Sequence, residues 1–313
     1  MRRIAITLLL LGALTAVAQH NIKQGSLWYN GALIYDATLQ GEKVLMSATD
    51  EGEEIEFMLV PVKGEPETYR IIHGPNDAMM VEEEGAIVKH EQQDAVDILG
   101  FYHADGNLYK VMTKTDAEDH QELNVENWMR MVRGDYTMAD GTRVTIDWDK
   151  AIVGGTYVPV EAMTFNGHVT GHLIIDGEGT LLNGCFEVVQ TIDGLLLYPA
   201  VIDEYEMPHR MSDEAIALTE SNPNHGRFDF VSNALLHGSE LYNFDRPQLR
   251  LMRNSILARH GYVFQSQDLQ EYFGNEPWYK PADSNEDIQL SFPEQINIDL
   301  IKYREKEMDA EQQ

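Results

Sequence analysis

From residue 25 to about residue 200 the chain alternates apolar and polar positions in short runs. In EEIEFMLV, Ile55, Phe57 and Leu59 share one face and Glu54, Glu56 and Met58 the other. In TRVTID, Val144 and Ile146 oppose Arg143 and Thr145. A period of two places every second side chain on one side of a strand, so these runs predict half-buried β-strands. Asn30-Gly31, Asp105-Gly106, Asp140-Gly141, Asn166-Gly167, Asp176-Gly177, Asn183-Gly184 and Asp193-Gly194 separate the runs. Such dipeptides supply the positive φ that tight hairpins need. Many short antiparallel strands joined this way predict an all-β sandwich or barrel-like body. Residues 116–132, DAEDHQELNVENWMRMV, break the alternation and are expected to form a short helix or linker dividing the body into two related β units.

Residues 203–237 lose the period and gather Pro, Asn, His and acids, the composition of an inter-domain linker. From Asp245 the period becomes helical. Asp245 suits an N-cap with Pro247 in the first turn, Leu249, Met252 and Ile256 form an apolar stripe, and Gly261 suits the left-handed residue after the helix. Arg246, Arg250 and Arg253 share an adjacent face, whereas Arg259 falls at the far border of the stripe and is expected to be partly buried. Ser266 can cap a helix over QDLQEYF, and Ser291 with Glu294 has the spacing of a capping box before a helix striped by Ile296, Leu300, Ile301 and Tyr303. The fold class expected is α+β multidomain: an all-β antiparallel body, then a small three-helix C-terminal domain. The predicted divisions are 1–18, 19–202, a linker at 203–237, a helical domain at 238–308 and a tail at 309–313.

The order and spacing of RNSILARHGYVF, DLQEYF, PWYKP and EQINIDLIKYREKE resemble the YARHG domain, over roughly residues 238–308. The pentapeptide stands here as Leu257-Ala258-Arg259-His260-Gly261, with leucine in place of the tyrosine of the name. The resemblance implies a bacterial extracellular module, found in lipoproteins and beside peptidase domains, and implies no particular activity. The β body carries no comparable resemblance.

The first residues change the picture further. MRRIAITLLLLGALTAVAQ combines a basic start, a short apolar run and Ala16-Val17-Ala18 before Gln19, the pattern of a cleaved secretory signal. No later stretch reaches the ~18 consecutive apolar residues of a membrane helix. Cys185 is the one cysteine, so an internal disulfide is excluded, and its place in LLNGCFEVV suits a buried structural thiol. Net charge is −29; residues 19–237 carry 13 basic and 38 acidic groups, residues 238–313 carry 8 and 14. That sign excludes nucleic acid and anionic lipid as natural partners.

Candidate chemistry gathers near the C-terminus. Arg259 and His260 can bind an anion or move a proton, or can hold the fold through a carboxylate and the helix end. Arg253, Trp278 and Tyr279 complete the candidate binding set; the two rings can stack on sugars or fill a small core. Asp283, Asn285, Asp287, Ser291 and Glu294 have the spacing of a calcium loop, but Ile288 occupies its glycine position and Pro281 its entering helix. His168 and His172 have zinc-like spacing, yet on a strand they stand ~13 Å apart. No metal, cofactor or catalytic residue is therefore assigned, and no hydrolase or phosphate-loop motif occurs. The expectation is an exported, periplasmic or extracellular protein with a non-catalytic binding or scaffold role toward an envelope glycan, peptide or protein. An envelope hydrolase with its site in the β body, or an inhibitor of a cationic hydrolase, are the alternatives.

Overall fold

A computed structural model describes residues 21–73, 86–93, 95–221 and 226–311; the signal-like segment lies outside the described residues. Eight strands follow one another around a closed barrel. They are β1 (Ser26–Tyr29), β2 (Ile34–Gln40), β3 (Lys43–Asp50), β4 (Glu53–Pro61), β5 (Thr68–His73), β6 (Ile87–Gln93), β7 (Val96–Tyr102) and β8 (Leu108–Thr115). All neighbours are antiparallel, and β8 returns to β1 with Thr113 opposite Tyr29. The alternation in β4 does what its period requires: Ile55, Phe57 and Leu59 point inward, and Glu54, Glu56 and Met58 do not. Trp28, Tyr35, Met46, Tyr69 and Phe101 fill the rest of the interior. An eight-stranded ring is just wide enough for side chains to fill, and each large apolar side chain buried there contributes ~2 kcal/mol.

The helix α1 (His120–Val132) follows, capped by Asp119, whose carboxylate accepts the Gln121 N–H at 2.8 Å. It wedges between two barrels. Its Asn124 accepts the Tyr29 hydroxyl of the first barrel at 2.6 Å and donates to the carbonyls of Ala32 and Gly167 at 3.1 and 2.9 Å.

The second barrel contains β9 (Gly134–Thr137), β10 (Arg143–Ile146), β11 (Lys150–Val153), β12 (Thr156–Phe165), β13 (His168–Ile175), β14 (Gly184–Gln190), β15 (Gly194–Ile202), β16 (Pro208–Arg210) and β17 (Ile216–Glu220). Strand β17 lies between β15 and β9 and, with the β14–β15 pairing, closes a second antiparallel ring of eight; β16 is a hairpin extension on β15. Closure is tight at Gly194: a Cβ there would sit 2.0 Å from the Leu218 carbonyl oxygen.

This corrects the linker expected at 203–237. The segment supplies β16 and the closing strand β17, then Phe228 and α2 (Phe230–Asn233) in the core. Its strand signal is faint because β17 is short and only Leu218 is fully inside. The body is a pair of barrels rather than a sandwich.

A 3-10 turn (Gly238–Asn243) leads to α3 (Arg246–Arg259), α4 (Gln267–Gly274) and α5 (Phe292–Glu311). Asp245 and Gln248 form a reciprocal cap on α3, with bonds of 2.7 and 2.8 Å. Leu249, Met252 and Ile256 are fully buried. They do not form a separate core. One hydrophobic cluster runs from the second barrel's interior through Trp128 and Met129 of α1 to Phe228, Met252, Phe273 and Ile301, and it includes Ile98, Leu108 and Val111 of the first barrel.

Candidate binding groove

The five residues singled out in the sequence are all engaged within the C-terminal module. Gly261 turns the chain at φ +76°, where a Cβ would meet the Lys280 carbonyl oxygen at 2.9 Å. Just before it, His260 Nε2 lies 2.8 Å from Glu294 Oε1, tying the end of α3 to the start of α5. Burial pushes the Glu294 carboxyl up, but bonds from Ser291 and His260 outweigh it and hold the group below its ordinary range. Arg253 Nε donates to Glu305 at 2.9 Å, and the same carboxylate receives Arg246 at 2.8 Å. Trp278 Nε1 donates to Glu276 at 2.8 Å, and the Tyr279 hydroxyl to the Tyr262 carbonyl at 2.7 Å. Their rings pack on Phe273.

Arg259 reaches furthest. Its side chain is 17 % exposed and bonds Asp229 at 2.9 Å, with its guanidinium carbon 4.8 Å above the Trp278 ring. Burial lowers the pKa of this guanidinium, against the pull of Asp229, Glu294 and Glu276. Asp229 is held on both sides, since Asn233 Nδ2 donates to its other oxygen at 2.8 Å. Gly226 has φ +70° and no room for a side chain, since a Cβ there would lie 2.4 Å from Trp278 Nε1. The signature arginine and the tryptophan thus fix the segment that begins at Gly226.

That segment is one wall of a groove of about 520 Å³. The other walls come from the end of α1 (Arg130, Arg133), from Asp135 and Thr145, and from the β10–β11 turn (Asp147, Trp148). Arg133 Nε donates to Asp147 at 3.0 Å while its guanidinium lies 4.0 Å over the Trp148 ring. Trp148 remains 40 % exposed. Thr145 donates to Asp135 at 2.7 Å. At the base Arg227, buried, reaches the Thr191 and Met131 carbonyls at 3.3 and 3.4 Å and the Gln190 amide oxygen. The groove therefore offers an aromatic face among planar donors and acceptors of both signs. Sequence reasoning missed these residues. A tryptophan in a tight turn between two aspartates, D-W-D, was the available signal; the walls it would meet come from distant elements.

The remaining candidates do other work. Ser291 and Glu294 cap α5, with Ser291 N–H and Oγ each 2.9 Å from Glu294 Oε2. Asn285 bonds both backbone groups of Val263, at 2.7 and 3.1 Å. His172 bonds the Thr170 carbonyl at 2.9 Å, and His168 lies 3.3 Å from Asp50 of the first barrel. Among the described residues no group of three or more His, Cys, Asp or Glu is arranged to hold a metal ion. Cys185 is half-buried rather than buried, and burial pushes its thiol up, away from the reactive thiolate.

Among the described residues no helix is long and apolar enough to cross a membrane. No curated protein and no solved structure matches the chain. The region before Asp229 matches no family either. The match that exists begins at the groove wall, nine residues before the sequence boundary at 238: residues 229–306 match the family model of the YARHG domain, a domain of extracellular and periplasmic proteins.

Proposed function

We propose that this is an exported binding protein of the bacterial envelope, non-catalytic, whose groove between the second barrel and the YARHG domain takes a glycan. The signal-like start and the family match support export. The observation that carries the ligand class is Trp148, exposed beside Arg133, Asp147 and Asp135. A sugar presents an apolar ring face and a rim of hydroxyls that both donate and accept. The tryptophan suits the face, and guanidinium and carboxylate groups suit the rim. Three arginines facing four carboxylates disfavour a strongly charged ligand of either sign.

Titration with soluble cell-wall oligosaccharides, followed by isothermal calorimetry, tests this. Wild type should show saturable binding heat, and Trp148→Ala should lose it while melting at an unchanged temperature. Equal binding by that variant, or no binding by wild type, overturns the reading. The four carboxylates sharing one groove also suit glycoside hydrolysis, which uses a carboxyl pair. New reducing ends that disappear in Asp147→Asn would favour that second reading.

A further inference from the structure

The second barrel carries another surface at its opposite end. The turns bearing Trp148, Asn166 and Asp193 lie at the groove end, whereas β13 passes to β14, and β15 to β16, at the far end. There the tip of the β15–β16 hairpin runs on past Ala200, the last β15 residue paired with β14. Val201 and Ile202 are successive strand residues and so face opposite sides, yet they are 46 % and 44 % exposed. Beyond them Tyr205, Met207 and Met211 are 73 %, 38 % and 64 % exposed. Isolated exposed apolar residues are ordinary, but five gathered on one projection are a candidate for a partner's apolar surface.

The tip of the projection is bonded to itself. Asp203 accepts the Tyr205 and Met207 N–H groups, both at 2.9 Å, and its other oxygen lies 2.8 Å from His209 Nε2. The backbone that carries Tyr205 is therefore tied in its turn before any partner arrives.

Its surroundings are acidic. Between residues 203 and 214 the chain carries Asp203, Glu204, Glu206, Asp213 and Glu214 against one arginine, Arg210. Glu187 holds that guanidinium by two bonds of 2.7 Å, and it lies over the Tyr198 ring. A second copy of the chain would bring like charges together, and an anionic membrane would be repelled. An added strand is also disfavoured. Met211 N–H bonds inward to Pro199, so Pro208 and Arg210 face the open edge, and Pro208 has no N–H to offer. Flexible thioethers and an aromatic ring among carboxylates match one occupant well: a helix with an apolar stripe and basic flanks.

We propose that the β15–β16 hairpin docks a basic amphipathic helical segment of a partner protein. This site is independent of the groove.

The test uses the full chain and a synthetic amphipathic helix of leucine and lysine, with its leucine–glutamate counterpart as control, in a fluorescence anisotropy titration. Wild type should bind the lysine peptide and not the glutamate peptide. Tyr205→Ser with Met211→Ser keeps the charge and should weaken binding by at least about tenfold. Tyr157→Ser, which removes an exposed ring 62 % accessible elsewhere on the barrel, should bind as wild type. No binding, equal binding of both peptides, or undiminished binding by the hairpin variant each overturns the proposal. The glycan titration should not change in the hairpin variant.

Discussion

Arg259 and Asp229 are joined at 2.9 Å behind the groove wall, so the signature arginine sets the position of a groove residue without lining the groove itself. The pair is mostly removed from water, and Trp278 covers the guanidinium. Such a pair stabilises little relative to an apolar replacement of the whole, but losing one member strands the other.

Arg259→Ala is accordingly expected to lower stability by about 3 kcal/mol in urea denaturation. Arg259→Lys should recover only part of this, because an ammonium cannot both bond Asp229 and lie flat on the indole. A loss well under about 1 kcal/mol for the alanine variant would place the pair with ordinary surface ion pairs and refute its role as a fastening.

Glu294 makes stability depend on acidity. Its carboxyl is held below the ordinary range when folded, so it binds protons more weakly in the native state than in the unfolded chain. Its contribution is fully present above the unfolded value of about 4.3 and is lost as pH falls through the lower folded value. Glu294→Gln should therefore be less stable than wild type at neutral pH, with the difference shrinking as pH falls below about 4. Urea midpoints across that window measure it; parallel profiles for the two proteins would contradict the assignment.

Asn297 is fully buried and satisfies three backbone groups at once. It accepts the Leu236 N–H at 2.8 Å and donates to the Val231 and Ala234 carbonyls at 2.8 and 2.7 Å. Asn297→Ala leaves those groups without partners and should cost about 3 kcal/mol. Amide exchange at Leu236 should quicken more than at Met252; uniform quickening would show a general loosening instead.

Ring closure rests on a missing side chain. Gly194→Ala drives a Cβ against the Leu218 carbonyl, 2.0 Å away in the present backbone, and β17 must shift. A loss on the order of 2–4 kcal/mol is expected, from overpacking added to an unfavourable φ. Gly171→Ala is the control: φ is +80° there, but open space surrounds the site, so it should cost only about 1 kcal/mol. Similar thermal midpoints for the two variants would deny the steric reading.

Where structure follows from neighbours in the chain, it was legible. The Asn166-Gly167 turn has φ of 50° and 81°, as a two-residue hairpin requires. The α3 cap and stripe are local patterns too, and the burial of Arg259 followed from its angle around the helix. Its partner did not, because Asp229 lies in a stretch whose polar composition imitates a linker. Strand β17 was hidden for a related reason. It contributes one deeply buried side chain, and its pairing partner Thr137 lies opposite Thr219 only once the ring has closed. The groove joins Arg133, Trp148 and Asp229 from three such separate places. No period along the chain records that meeting.

The unbroken cluster from Leu173 and Phe186 through Phe228 to Ile301 means that the YARHG helices have no finished underside. Excised alone, they would expose to water the greasy seat that the neighbouring strands now occupy. In this chain the second barrel furnishes the cushion beneath them.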